Sequence, residues 1–203
     1  MKRVPKDSRL IFATHNAGKV EEMRSLLSPL GIEIVSAADL GLPEPAETET
    51  NFVGNARIKA HAAARATNLP ALADDSGLCV EALGGAPGVY TADWAEGPGG
   101  RDFGRAMART HAELTAKNAL EPWNAAFHCT LVMAWPDGTD AVFEGIVRGR
   151  LVYPLRGNEG HGYDPMFVPE GEEETFAQMS LERKNMISHR SLALRALIAG
   201  CFT

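Results

Sequence analysis

The amino-acid sequence predicts an α/β protein with a mixed β-sheet, folded as one domain with two lobes and a cleft. A strand, a polar loop, a helix and a second strand follow one another at the start of the chain, which is typical of α/β proteins. An Asp-Gly hairpin later in the chain predicts an antiparallel pair of strands, so the sheet is mixed. The 203 residues, 45% of them hydrophobic, suffice for a single domain over residues 1–203.

The first half of the chain alternates apolar runs with polar loops. Short apolar runs with β-branched or aromatic residues predict strands, and apolar residues at helical spacing predict helices. The predicted elements are a strand over Arg9–Thr14, a helix that follows Lys19 and ends at Pro29–Gly31, a strand over Ile32–Val35, a helix over Phe52–Thr67, a strand over Ala71–Ala73 and another strand over Leu78–Leu83. Asp74–Gly77 is expected at the end of the Ala71–Ala73 strand, as a polar break before the next one.

The second half begins with a long loop over Gly84–Gly100. The predicted elements after it are a helix over Arg101–Lys117, strands over Phe127–Trp135 and Ala141–Val147, a Gly-rich loop over Gly157–Asp164 and a closing helix over His189–Ala199. Pro136–Thr139 joins the two strands, because Asp-Gly is a strong hairpin signal.

Composition narrows the possible functions and the compartment. The formal net charge of −6 argues against broad nucleic-acid binding, which needs a basic face, but leaves a nucleotide pocket possible. No apolar run approaches the length of a membrane span, and the short charged segment Met1–Asp7 leaves no room for a signal peptide. Cys79, Cys129 and Cys201 are scattered, and we expect them to be buried, reduced side chains in a cytoplasmic protein.

The loop Thr14–Lys19 is the first candidate for chemistry. It lies between a strand end and a helix start, where unpaired backbone N–H groups carry partial positive charge and suit phosphate. Lys19 adds a full charge, and Gly18 allows close approach of the backbone. In the alternative interpretation, Asn16 caps the helix and Lys19 is solvated. The loop is not a Walker A motif, because Val20 follows Lys19 where Ser or Thr would hold magnesium.

Asp74–Gly77 is the second candidate, because ligands bind at the carboxyl ends of strands in open α/β sheets. Adjacent carboxylates repel one another unless they face apart or a cation lies between them. A magnesium ion shared with phosphate oxygens would resolve the repulsion. The alternative is an ordinary turn closed by Gly77.

Two further groups of charged residues complete the candidates. Glu47 and Glu49 precede the Phe52–Thr67 helix and could reach a metal on a neighbouring strand; a solvated loop with a helix cap at residue 50 or 51 is the alternative. Lys184 is expected in the loop before the last helix, whose first turn holds His189 and Arg190. Cations are unfavourable at a helix N-terminus, which suggests that an anion compensates them.

Six segments, in this order, carry a resemblance to one family. They are Thr14–Lys19; Glu47-Thr48 leading to Phe52 and Asn55-Ala56; Leu72–Leu78; Gly84–Tyr90; Gly162–Pro165; and Lys184 with Ser188-His189-Arg190. The chain thereby resembles the inosine/xanthosine triphosphate pyrophosphatases over nearly its whole length. The resemblance implies an elongated mixed sheet flanked by helices, with the active site in a cleft between two lobes. It also implies hydrolysis of non-standard purine triphosphates (ITP, dITP, XTP) to monophosphate and pyrophosphate, by a cytoplasmic, magnesium-dependent homodimer without nucleic-acid or membrane partners.

The same resemblance implies roles for individual residues. Asp75 is the catalytic base and, with Glu47, a metal ligand. The residues implied to bind substrate are Thr14, His15, Asn16, Ala17, Gly18 and Lys19 at the triphosphate, and Ser76, His161, Gly162, Tyr163, Asp164, Lys184, His189 and Arg190 elsewhere on the nucleotide.

The sequence departs from the family pattern in the segment that follows Glu47 and at His161. Glu49 stands where the family usually has Gly, Asn51 where it has Thr, and Gly54 where it has Glu. His161 replaces a large aromatic residue, which bears on base preference because imidazole offers less stacking area and can titrate. A Maf-like pyrophosphatase for modified pyrimidine or methylated nucleotides is one alternative function, and a nucleotide-binding module without turnover is another.

Overall fold

The computed structural model describes residues 2–5 and 7–202, apart from the side chains of Glu22, Ser25 and Leu26. Within this part of the chain, six strands form one sheet. They are β1 (Arg9–Phe12), β2 (Glu33–Ser36), β3 (Ala71–Val80), β4 (Trp123–Ala134), β5 (Asp140–Leu151) and β6 (Phe167–Pro169). The α-helices are α1 (Ala17–Leu27), α2 (Phe52–Thr67), α3 (Phe103–Ala116), α4 (Leu181–Ile187) and α5 (His189–Cys201).

The strand order in the sheet is β2-β1-β3-β4-β5-β6. β1 pairs in parallel with both β2 and β3, whereas β5 and β6 pair antiparallel. The sheet is therefore mixed and helices flank it, which confirms the predicted fold class. The hairpin between β4 and β5 also forms as predicted, with Gly138 in the left-handed region at φ 86°.

β3 corrects the prediction of two short strands. It runs from Ala71 to Val80 without a break, so Asp74 and Asp75 lie inside a strand and not in a turn after one. Both residues are buried, at 4% and 7% exposure. Lysines from other segments face these carboxylates, as described below, and that pairing allows two acidic residues to stay in the sheet.

The chain forms two compact units. The first comprises Met1–Asp75, Thr130–Glu144 and Ala193–Thr203. Its core packs alanines of α2, such as Ala56, Ala60 and Ala63, against Ile11 and other apolar residues of the strands. Alanine side chains are short, so the helix backbone can approach the sheet closely. α2 has the predicted bounds because Asn51 caps its start and Asn68, at φ 54°, ends it.

The second unit comprises Ser76–Cys129 and Gly145–Leu192. Its core is aromatic: the Phe127 ring centroid lies 4.6 Å from that of Phe167 and 6.1 Å from that of Phe176. Phe167 and Phe176 are fully buried, and each such side chain contributes roughly 1.5–3 kcal/mol by its removal from water. That residues 1–203 act as one domain of two lobes stays a prediction.

The three cysteines are free thiols. Cys129 and Cys201 are buried as predicted, whereas Cys79 is half-buried, so the prediction of full burial is wrong there. Among the helices of the described residues, none has the length and apolar character needed to span a lipid bilayer.

Candidate active site

The loop Thr14–Lys19 connects β1 to α1 in the first unit. Asn16 caps the helix, because its side-chain oxygen accepts a hydrogen bond from the Lys19 backbone N–H at 3.1 Å. The Thr14 hydroxyl accepts a second bond, from the Asn16 backbone N–H, at 3.2 Å. The loop is thereby fixed with Ala17 and Gly18 exposed in the first helical turn, where backbone N–H groups favour an anion. Helix capping and anion binding are compatible here.

His15 links this loop to the segment that leads to Glu47. Its Nε2 lies 2.9 Å from the Leu42 carbonyl oxygen. A carbonyl oxygen only accepts, so Nε2 carries the hydrogen in this contact. The implied contact of His15 with substrate stays a prediction, and the contact observed is with the protein.

Lys19 forms an ion pair with Asp74. Its Nζ lies 2.5 Å from the Asp74 Oδ2, and the two side chains are 29% and 6% exposed. The sequence analysis places Asp74 beside Asp75 in the second candidate without a role of its own, and the structure pairs it with Lys19. The pair orients the Lys19 ammonium beside the helix start and supplies a counter-charge to one of the two adjacent buried carboxylates.

Lys59 of α2 is the second cation at this site. Its Nζ lies 2.7 Å from Oε1 of Glu47, and its side chain is 10% exposed. Burial acts to lower the pKa of Lys59, but Asp74, Glu47 and Asp75 together outweigh it and raise that pKa above its usual range. Lys59 is therefore a buried ammonium held among carboxylates.

Asp75 is a carboxylate of perturbed acidity at this site. Burial raises its pKa to about 6; Lys59 and a hydrogen bond from Asn55 oppose that rise, whereas Glu47 and Asp74 add to it. A carboxylate with a pKa near 6 is a stronger base than an ordinary aspartate, which suits proton transfer close to neutral pH.

Asn55 and Lys59 escaped the sequence prediction as site residues. They are four residues apart and so share one face of α2. Asn55 is 2% exposed, and its Oδ1 accepts a hydrogen bond from the Glu49 backbone N–H at 2.9 Å. The sequence does contain a signal for these two residues, because they interrupt the apolar alanine face of the helix. Polar residues on such a face need buried polar partners, which indicates a site.

Glu49 and Gly54, two departures from the family pattern, are in mutual contact. A Cβ added at Gly54 would come within 2.6 Å of the Cβ and Cγ of Glu49. The Glu49 side chain therefore occupies the space that a side chain at position 54 would need. The side chain at position 49 thus takes the place of one at position 54, so the two departures are linked. Asn51, the third departure, caps the helix by accepting a hydrogen bond from the Gly54 N–H at 2.8 Å.

The second unit holds the remaining predicted residues, beginning with Asp164. This carboxylate is 2% exposed, and its Oδ2 accepts hydrogen bonds from the His161 backbone N–H at 2.6 Å and from the Lys184 ammonium. Gly160 is required beside it, because a Cβ there would lie 2.1 Å from Asp164 Oδ2 and its φ is +78°. The buried Asp164 carboxylate thus connects the backbone of the Gly157–Asp164 loop to Lys184.

The other residues of this loop differ in exposure. His161 is exposed, and its implied stacking on a base stays a prediction. Tyr163 is 1% exposed and packs edge-on against Phe103, with ring centroids 5.9 Å apart. Burial raises the pKa of the Tyr163 phenol, and the neighbouring Thr110 hydroxyl and Arg109 guanidinium oppose the rise. Its ring belongs to the core, so a substrate contact from Tyr163 would come from its backbone.

Lys184 lies in α4 and not in a loop, which corrects the prediction. Ser180 caps this short helix by accepting from the Arg183 N–H at 3.2 Å. Ser188 directly precedes α5, and its hydroxyl caps this helix by accepting from the Ser191 N–H at 3.2 Å. For Lys184 the compensating anion is Asp164 of the protein itself.

His189, Arg190 and Ser76 complete the predicted set. The His189 ring stacks on Phe127 in the core, with centroids 4.8 Å apart and planes at 12°. Arg190 follows in the first turn of α5 and is half-buried. Ser76 follows Asp75 directly in β3 and is half-buried. The implied contacts of these three with substrate stay predictions.

The first unit therefore brings together three carboxylates, two ammonium groups and an exposed helix start. Such an arrangement can bind an anion and a hard cation and can accept a proton at Asp75. These are the properties of an α/β hydrolytic site for a phosphate-containing substrate.

Comparison with known proteins agrees with that class. Residues 10–200 match the model of the Ham1 family. The chain is 63% identical to a protein of Ruegeria pomeroyi named dITP/XTP pyrophosphatase, over 95% of both chains. It is 55% identical to a protein of the same name from Zymomonas mobilis, over 95% of this chain and 91% of that one.

Solved structures show the same fold. A HAM1 protein from Coxiella burnetii superposes with a TM-score of 0.89 at 34% identity, covering 95% of this chain and 97% of that chain. The Ham1 protein of Staphylococcus aureus gives a TM-score of 0.85 at 33% identity, with the same coverage of 95% and 97%. The chain belongs to the Ham1 family.

Proposed function

We propose that this chain hydrolyses the non-standard purine nucleoside triphosphates ITP, dITP and XTP to the monophosphate and pyrophosphate. The observation that carries the proposal is the buried carboxylate of Asp75, whose pKa burial raises to about 6, in the cluster that also holds the ion pairs Lys19–Asp74 at 2.5 Å and Lys59–Glu47 at 2.7 Å. Support comes from the relatives of Ruegeria pomeroyi and Zymomonas mobilis, which are named dITP/XTP pyrophosphatases. The reaction would remove these nucleotides before they enter nucleic acid.

The proposed cofactor is Mg²⁺, with Glu47 and Asp75 as its ligands. Their carboxylate oxygens fit this ion, because Mg²⁺ takes one or two carboxylates and completes its shell with water and phosphate oxygens. Across residues 2–5 and 7–202, no three His, Cys, Asp or Glu side chains form a ready metal cage. Glu47 and Asp75 would hold the ion together with water in the free protein, and phosphate oxygens would replace part of that water when the triphosphate binds. When bound, the ion supplies polarisation of phosphate oxygens and acidification of water.

The chemical step uses groups of the first unit. Asp75 accepts a proton from the water that attacks the α-phosphorus. One P–O bond forms to the water oxygen, and the bond from the α-phosphorus to the bridging oxygen breaks, so pyrophosphate leaves. Lys19 and the backbone N–H groups of Ala17 and Gly18 neutralise the charge that develops on pyrophosphate. Thr14, His15 and Asn16 hold the loop and contact the triphosphate.

Recognition of the base and sugar is assigned to residues after Asp75. They are His161, Gly162, Tyr163, Asp164, Lys184, His189 and Arg190, and Ser76 is assigned a contact with the substrate. A 6-oxo purine is preferred when donors face O6 and an amino group there finds no partner. A buried polar group without a partner costs roughly 1–3 kcal/mol, which suffices to disfavour adenine.

The assembly and compartment are proposed with the function. We infer a homodimer in the cytoplasm from the resemblance to the pyrophosphatase family. The Maf-like alternative is not favoured, because the relatives carry the dITP/XTP name. A binding module without turnover is less well supported, because Asp75 combines burial with a raised pKa beside Lys59.

A substrate panel tests the proposal. The purified chain is incubated with Mg²⁺ and ITP, dITP, XTP, GTP, ATP or modified pyrimidine triphosphates, and the products are identified. Pyrophosphate from ITP, dITP and XTP is the expected result, with loss of that activity in Asp75→Asn. Asp137→Asn, which changes an exposed hairpin carboxylate, is the matched control. Binding of ITP without product, or full activity of Asp75→Asn, would contradict the assignment.

A further inference from the structure

Asn55 makes two contacts that the proposed reaction does not itself require. It lies in the first turns of α2 and is 2% exposed. On one side its Oδ1 accepts a hydrogen bond from the Glu49 backbone N–H at 2.9 Å. On the other side its side chain forms a hydrogen bond with Asp75. A single buried amide therefore connects the loop that carries Glu47 with the carboxylate on β3.

The chemistry of the partners fixes the orientation of this amide. A backbone N–H can only donate, so the carbonyl oxygen of Asn55 must face Glu49. The amide NH₂ group then faces Asp75, where an ionised carboxylate can only accept. Aspartate at this position would keep the first bond and lose the second. Asparagine is therefore the residue that satisfies both partners at once.

Lys59 holds the same loop at a second point. It is one helical turn after Asn55, and its ammonium lies 2.7 Å from Oε1 of Glu47. α2 therefore contacts the loop at two points. Asn55 accepts a hydrogen bond from the backbone of Glu49, and Lys59 forms an ion pair with the side chain of Glu47. Of these two residues of α2, Asn55 is the one that also forms a hydrogen bond with Asp75.

We propose that Asn55 is a positioning residue, whose buried amide holds the Glu47–Glu49 loop and the Asp75 carboxylate in a fixed mutual arrangement for metal binding and water attack. The proposal rests on the proposed function. Ligands held by a correctly oriented buried partner need no rearrangement on binding, so loss of the partner weakens both metal affinity and turnover.

Asn51 provides a matched control for a purely structural role. It is also an asparagine at the start of α2, and its Oδ1 also accepts one backbone hydrogen bond, from Gly54 at 2.8 Å. It is exposed, whereas Asn55 also bonds Asp75. Asn51→Ala removes a helix cap, and Asn55→Ala removes a backbone contact together with the bond to Asp75.

The test compares Asn55→Ala, Asn55→Asp and Asn51→Ala in three measurements. They are Mn²⁺ binding by calorimetry without nucleotide, kcat and KM with XTP, and NMR amide exchange at Glu49. Asn55→Ala is expected to weaken Mn²⁺ binding and lower kcat by about 10–100-fold each, with little change in KM, and to speed exchange at Glu49. Asn55→Asp is expected to keep the slow exchange at Glu49 and still lose kcat. Asn51→Ala is expected to keep Mn²⁺ affinity and kcat.

Wild-type Mn²⁺ affinity and kcat in Asn55→Ala would overturn the proposal. So would an undiminished kcat in Asn55→Asp, which keeps an acceptor for the Glu49 backbone N–H and decides the matter if Asn55→Ala does not fold. If the wild-type chain releases no pyrophosphate from any nucleotide, the proposed function fails. The Mn²⁺ and exchange measurements would then still test the role of Asn55.

Discussion

The ammonium of Lys59 lies 2.7 Å from the carboxylate of Glu47 and within the electrostatic reach of Asp75. Glu47 is 35% exposed at its side chain, whereas Lys59 is 10% exposed, so the cation is the buried member of the pair. A buried ammonium at this position limits repulsion among the carboxylates. It also leaves the more exposed Glu47 carboxylate accessible to a ligand.

Replacement of Lys59 by methionine is expected to destabilise the metal-free chain by about 3 kcal/mol, because it leaves buried carboxylates without their counter-charge. Urea unfolding with a chelator present measures the change. Lys117→Met, at an exposed position after α3, is the control and should change little. Mg²⁺ should stabilise Lys59→Met more than the wild type, since it supplies positive charge. Equal losses in the two variants would show that Lys59 is not the counter-charge.

The raised pKa of Asp75 predicts a dependence of stability on pH. Its pKa is about 6 in the folded chain against an ordinary value of 3.8, so the folded chain binds more protons between these two pH values. The Asp75 contribution is therefore most favourable below pH 4 and is lost as the pH rises through 6. The free energy of unfolding of metal-free wild type, relative to Asp75→Asn, should fall by roughly 3 kcal/mol over this range.

Chemical unfolding of both proteins at a series of pH values, with a chelator present, checks this prediction. Asp137→Asn is again the control, because that carboxylate is exposed on the hairpin. A difference between wild type and Asp75→Asn that stays constant from pH 4 to pH 7 would contradict the raised pKa. Activity with Mg²⁺ should also rise as Asp75 loses its proton, but at a lower pH than in the metal-free chain, because a bound cation favours the ionised carboxylate.

Gly54→Ala is expected to destabilise the chain by about 1–3 kcal/mol, although alanine is usually the better helix residue. The reason is the 2.6 Å approach of the new Cβ to the Glu49 side chain. Glu49→Gly should remove the collision, so that Gly54→Ala becomes neutral or stabilising in the double variant. Thermal unfolding of the two single variants and the double variant measures the coupling. If the stability changes of the two single variants simply add in the double variant, the side chains at positions 49 and 54 do not collide.

Gly160→Ala is expected to raise the KM for XTP on the order of tenfold, through displacement of Asp164 and its contacts to His161 and Lys184. Gly171→Ala is the matched control, because Gly171 has a similar φ of +81° but no atom within 4 Å of an added Cβ. Both variants carry the same backbone strain, and only Gly160→Ala adds the collision. Steady-state kinetics compares them, and equal KM values would refute a role for Asp164 in substrate binding.

The sequence predicted the elements whose signals are local. The bounds of α2 follow from a capping asparagine, a helical apolar period and a left-handed asparagine at the end, all of which are written in neighbouring residues. The class of sheet followed from the strand–loop–helix opening and the Asp-Gly hairpin for the same reason. α4 was missed because Ser180 is followed by Arg183 where a capping box would have Glu or Gln.

The errors at the candidate site have a non-local cause. The local sequence around Asp74-Asp75 is typical of a turn. The two groups that stabilise these carboxylates inside a strand are the ion pair of Asp74 with Lys19 and the positive charge of Lys59, and both come from distant parts of the chain. Asn55 and Lys59 were placed correctly on a helix, but their partners at Glu49 and Glu47 could not be read from that helix. Asp75 and Glu47 were candidates from the local sequence, the resemblance to a family supplied their roles, and the structure supplied the residues that support them.

The unbroken course of β3 through Asp74 and Asp75 limits how this gene can change in length. Side chains alternate between the faces of a strand, so one inserted or deleted codon within residues 71–80 would turn every following side chain to the opposite face. Buried residues of both faces, such as Leu78, would then meet the wrong packing partners in the same event. Loops elsewhere can lengthen or shorten readily, whereas a one-codon change in this segment disturbs the whole strand after it.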